Sequence, residues 1–151
     1  MSNEERLPRG VQRPDDAVEV TRSLTIEWPL LPPPVLRGNG RGHWRRKAAQ
    51  TAAVRESGMW SAVKVISYRT DLPLLFETAD IHCTFYTTRP DACDGVNFQF
   101  GMKAFIDGLR DAQVIVDDQN WRVTELPPTF KKCKRGEERT EIVIAERHAD
   151  H

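Results

Sequence analysis

The stretch FETADIHCTFYTTRPDACDGVNFQFGMKAFIDGLRDAQVIVDD, residues 76–118, changes its hydrophobic period part-way along. Over Phe76–Thr87 the side chains alternate, with Ile81, Cys83 and Phe85 on one face and Asp80, His82 and Thr84 on the other, the pattern of a half-buried strand. Thr88–Gly95 reads as a loop. From Asn97 to Asp111 the apolar positions fall at helical spacing: Phe98, Met102, Phe105, Ile106 and Leu109 form one core-facing stripe, and Asn97 is placed to cap the helix. Val114–Val116 is a short apolar run, a candidate strand leading into Asp117 and Asp118.

Upstream, Leu24, Ile26 and Trp28 alternate with Thr25 and Glu27, which predicts a strand over Ser23–Trp28. Pro29, Pro32, Pro33 and Pro34 stop it, because proline cannot donate to a ladder. A glycine-rich, arginine-bearing loop leads into a helix expected from His43 to Val65. Its apolar positions, Trp44, Ala48, Ala52, Met59, Val63 and Ile66, recur at helical spacings, and Gly58 weakens the helix without ending it. Downstream, strands are expected near Trp121–Leu126 and Thr140–Ala145, separated by Pro127-Pro128 and a basic loop, Lys131–Arg135. The order β-α-β-α-β-β predicts an α+β domain, a mixed β-sheet with two main helices on one face. That domain is expected over residues 22–146, after a disordered arm at 1–21 that lacks any apolar period and before a short tail at 147–151.

A chain of 151 residues and 17.3 kDa holds one domain. With 39% hydrophobic and 29% charged residues, its composition is that of a globular domain. No run approaches the roughly 20 apolar residues of a membrane span, and the polar start MSNEERLPRG is no signal peptide. Cys83, Cys93 and Cys133 contain no CxxC pair, which argues against a disulfide framework or a thiolate zinc site. A cytoplasmic protein without a membrane partner is the expectation.

The formal net charge of zero hides a segregation. Val35–Thr70 carries Arg37, Arg41, Arg45, Arg46, Lys47, Arg55, Lys64 and Arg69 against the single acid Glu56, whereas Asp71–Phe130 is strongly acidic. Arginines and lysines neutralise phosphates, so Arg37, Arg41, Arg45, Arg46 and Lys47 are candidate DNA contacts; the alternative is that the two blocks attract each other within the fold. His43 is a candidate phosphate contact or simply exposed. Trp44 is a candidate stacking surface, although its place on the apolar stripe favours core packing. The acids Asp91, Asp94, Asp117 and Asp118 flank one helix, and carboxylates converging from separate elements are what Mg²⁺ requires. The other possibility is that Asp94 caps the helix and Asp117-Asp118 forms a turn. Lys131, Lys132, Lys134 and Arg135 form a second basic segment, and His82 reads as structural.

Three segments together carry a resemblance: Cys93-Asp94-Gly95-Val96-Asn97-Phe98, Lys103-Ala-Phe-Ile-Asp107-Gly-Leu109 and Ala112-Gln-Val-Ile-Val-Asp117-Asp118. With His43-Trp44-Arg45-Arg46-Lys47 ahead of them, they resemble the RusA-like crossover junction endodeoxyribonucleases, the small Holliday junction resolvases of phages and prophages. The resemblance spans about Leu24–Ala145. It implies a homodimer that binds four-way DNA junctions and makes paired nicks with Mg²⁺. It further implies Asp94 and Asp118 as metal ligands and catalytic residues, Asp117 as their companion, and Lys103 as the catalytic lysine. Two positions depart from the family's motif: its second aspartate falls on Val96 and its arginine on Cys93. Asp91 is the nearby carboxylate that would have to replace the lost ligand. The rival readings are a non-catalytic branched-DNA-binding dimer with a degenerate metal site, and a small interaction protein whose charged blocks pair.

Overall fold

The computed structural model describes residues 22–38, 42–68, 75–117 and 122–147. The expected arm at 1–21, Arg41, Asp118 and all of the tail beyond Arg147 lie outside these residues. Alternation builds β1 at Ser23–Trp28, with Leu24, Ile26 and Trp28 turned inward. After the proline-rich turn come α1 at Trp44–Ile66, β2 at Ala79–Thr87, α2 at Gly95–Gly101 and α3 at Lys103–Asp111. Three strands follow: β3 at Val123–Glu125, β4 at Thr129–Lys132 and β5 at Arg139–Glu146. None of the described helices is long and apolar enough to cross a membrane.

The sheet is mixed, as expected. β5 lies between β1 and β2 and is antiparallel to both, with Ile26 opposite Ile142 and Cys83 opposite Ile142. On its other side β2 pairs in parallel with β3, Ala79 opposite Val123, and then with β4, Phe85 opposite Phe130. β3 and β4 thus share one edge, interrupted at Pro127-Pro128, which have no N–H to offer. Lys131 and Lys132, expected in a loop, are strand residues on that edge.

One face of the sheet carries Leu24, Ile26, Trp28, Ile81, Cys83, Phe85, Ile142 and Ile144 into a single core with Phe98, Phe105, Ile106 and Leu109 of the helices. The rings of Trp28 and Phe105 stand 4.9 Å apart. Phe85, Phe98 and Phe130 pack mutually, with centroids 5.0–5.5 Å apart, and fasten α2 over the β2–β4 pair. Both main helices lie on this face.

Two expectations about the helices are corrected. The face α1 buries is Val54, Gly58 and Ala62, not the stripe from Trp44 to Ile66: Trp44 is 67% exposed and Val63 39%. The reason is a close helix crossing. A Cβ on Gly58 would stand 2.2 Å from Phe105 O, and one on Gly108 would stand 2.1 Å from Arg55 O, so α1 and α3 meet backbone to backbone where only glycine fits. Gly58, expected as a weak point, is therefore the contact point. The second helix also starts earlier than expected and breaks at Met102, a residue that both ends α2 and precedes α3. Its cap is Asp94, not Asn97.

Candidate nucleic-acid groove and acidic edge

His43 starts α1: its Nδ1 accepts the Arg45 N–H at 3.2 Å, satisfying one of the donors that a helix start leaves open. Its ring stacks on Trp44 at 5.7 Å, and the Arg45 guanidinium lies 5.2 Å from the same indole. Every residue from Trp44 to Ala49 is exposed, so the first turns of α1 project from the core. Arg45, Arg46 and Lys47 occupy those turns, and no acidic side chain among the described residues pairs with them.

Lys103 opens α3 and is exposed. It joins Lys47 in lining a groove of about 280 Å³ between α1 and the α2–α3 pair, together with Leu36, Thr51, Phe100 and Asp107. Two basic residues chosen on separate grounds, one as a DNA contact and one through the family motif, thus meet across one groove. Phe100, 58% exposed, was missed; the signal was available, since it falls off the buried stripe of its helix. Arg37 serves the fold: its Nε donates to Pro32 O at 2.9 Å and its guanidinium covers the Phe98 ring at 4.1 Å. Burial there pushes its pKa below the ordinary arginine value, partly opposed by the nearby Cys93 sulfur.

The charge segregation is partly internal attraction. Arg55 of the basic block grips Asp111 of the acidic block with two hydrogen bonds, at 2.6 and 2.8 Å, joining α1 to α3. The hydrogen bond from Arg55, with its positive charge, holds the Asp111 carboxyl below its usual range.

The acidic residues are distributed differently from the expectation. Asp94 Oδ1 accepts the N–H groups of Val96 at 2.9 Å and Asn97 at 3.2 Å, so the carboxylate caps α2. Asp91 is exposed on a single turn of 3₁₀ helix at Pro90–Ala92, and Val96 is 75% exposed. Val114–Val116, the candidate strand leading into Asp117, does not run back towards Asp94. Ile115 instead bridges Phe76 in parallel, upstream of β2, and the Phe76 N–H donates to Val114 O at 2.7 Å. Asp117 then pairs with Arg122 at 3.3 Å, and Arg122 O accepts the N–H of Ala79 at the start of β2. Gly95, next to Asp94, lies against Pro128 and Phe130, whose register is with Phe85. Ala79 and Phe85 are six residues apart, roughly 20 Å of strand, which sets Asp117 and Asp94 towards opposite ends of the edge.

Among the described residues, no three His, Cys, Asp or Glu side chains gather to hold a metal ion. Asp91, Asp94 and Asp117 therefore do not fit Mg²⁺ by themselves, given its demand for several oxygens at near-octahedral geometry. Asp118, the remaining expected ligand, lies outside the described residues. Cys93, in the position of the motif arginine, donates its S–H to Arg89 O at 3.3 Å and is partly buried. On the outer face of the sheet His82 Nε2 shares a hydrogen bond with Thr129 Oγ1 at 3.0 Å, in keeping with a structural role.

No family model matches this chain, and no curated protein matches it.

Proposed function

We propose that this chain is a RusA-like branched-DNA-binding protein, which docks four-way junctions as a homodimer through the first turns of α1 and the groove beside them. The observation that carries this reading is the exposed Arg45, Arg46 and Lys47 cluster, whose Lys47 lines one groove with Lys103 of a separate helix. Cations without an acidic partner among the described residues, brought together from two elements, are suited to a phosphate backbone. The test is the salt dependence of binding to a four-way junction and to a linear duplex of the same sequence. Replacing Arg45, Arg46 and Lys47 together by alanine is expected to flatten the slope of log affinity against log salt by up to about three units. An unchanged slope overturns the phosphate contacts, and equal affinity for junction and duplex overturns the preference for branched DNA.

A second reading, Mg²⁺-dependent nicking of the bound junction, is favoured by Asp94. Its cap uses only Oδ1, and Oδ2 has no partner among the described residues. Asp118→Asn is expected to abolish nicking while junction binding holds or tightens, because an amide keeps the shape and loses the charge. Nicking at the unsubstituted rate would remove Asp118 as a ligand. The exposure of Val96 means that Val96→Asp carries no burial penalty, so a folded variant with unchanged nicking would show that the missing carboxylate is not limiting.

A further inference from the structure

The helices that form the groove carry the same spacing pattern. On α1, Trp44, Lys47 and Thr51 are spaced i, i+3, i+7 and share one face of the helix. Across from them Phe100, Lys103 and Asp107 have the same spacing over α2 and α3. The α2–α3 wall therefore presents a ring, a lysine and a carboxylate, and the α1 wall presents Lys47 and Thr51, with Trp44 one turn before them on the same helix. Both rings are largely exposed, Trp44 at 67% and Phe100 at 58%, and neither contributes to the core. The volume, about 280 Å³, is close to the smallest small-molecule sites and suits one nucleotide. Asp107, one turn after Lys103, lines the same groove.

We propose that this groove captures an unpaired nucleotide of bound DNA, its base against the face of Phe100, its phosphate between Lys47 and Lys103, and the neighbouring base on Trp44. Duplex phosphates alone would call for the lysines and leave the two exposed rings without a role, whereas an unpaired strand uses both, since every base has a face to stack. The inference rests on the DNA-binding reading and names the form of DNA that the groove takes.

The experiment measures binding of the full chain to oligo-dT, to a linear duplex of equal length and to a four-way junction carrying 2-aminopurine at the branch point. Phe100→Leu keeps an apolar side chain and removes the flat ring; it is expected to weaken oligo-dT binding roughly 5- to 150-fold and leave duplex binding unchanged. Phe100→Trp is expected to retain oligo-dT binding, and the melting temperature of each variant confirms that it is folded. In the junction, 2-aminopurine fluorescence is expected to change on binding of the original chain and not of Phe100→Leu. Oligo-dT binding that survives Phe100→Leu, or that falls in parallel with duplex binding, overturns the inference and leaves junction docking standing. Phe100-dependent oligo-dT binding by a chain that ignores the junction upholds the inference and overturns junction docking. A chain that binds none of the three probes overturns both.

Discussion

From Val54 to Ala62, α1 is pressed so closely on α3 that glycine is needed on both helices, whereas from Trp44 to Ala49 every residue of the same helix is exposed. One continuous helix of 23 residues thus contains a structural half and a half that contributes little to the core. The packed half is specified by the absence of side chains: Gly58, Ala62 and Gly108 let the backbones approach. The projecting half is held helical by local means alone. These are the His43 cap and a run of arginine, lysine and alanine with good helix propensity. A segment whose side chains are released from packing can present all of them to a partner, which is why the basic cluster and the groove are found at that end.

Three substitutions test this division, in order of expected effect. Phe105, fully buried against Trp28 and at the crossing, belongs to the packed half. Phe105→Ala is expected to cost about 3–5 kcal/mol in denaturant unfolding, because it removes a large ring and leaves a cavity. A loss below about 1 kcal/mol would mean that the helices do not depend on this crossing. Next, Gly108→Ala sets two effects against each other. Helix propensity alone favours alanine by about 1 kcal/mol, but its Cβ would meet the Arg55 carbonyl, so a net loss of roughly 1–3 kcal/mol is expected. Any gain in melting temperature would contradict the close crossing, since the two effects differ in sign.

The smallest effect is expected at the Arg55–Asp111 pair, whose partly exposed side chains span the two helices just before α1 leaves the body. Asp111 has a lowered pKa in the folded chain, so the pair contributes stability above the ordinary carboxylate pKa of about 3.9. That contribution is lost as pH falls through the depressed folded value. Asp111→Asn is therefore expected to lower the melting temperature at pH 7 by an amount near the limit of a melting curve. The difference should close in strong acid and shrink with added salt. A gap that stays the same in acid would mean the pair acts by packing and not by charge.

Sequence alone was sufficient for β1 and for the alternation of Ile81, Cys83 and Phe85 in β2, and it placed α1 within one residue at each end. These features are local: period, caps and prolines act within a few residues. It also marked Arg45, Arg46, Lys47 and Lys103, since charge is a property of the residue itself. The buried face of α1 was not legible, because a crossing built from Gly58, Ala62 and Gly108 leaves no hydrophobic stripe to read. Asp94 had two open roles in sequence, metal ligand or cap, and only the folded start of α2 brought the Val96 and Asn97 N–H groups to its oxygen. Asp117 was expected beside Asp94, and the parallel bridge of Ile115 to Phe76 carried it towards the other end of the edge. Nor could any local pattern place Lys47 opposite Lys103: the α1–α3 packing, settled by backbone contact at two glycines, decides which residues face each other across the groove.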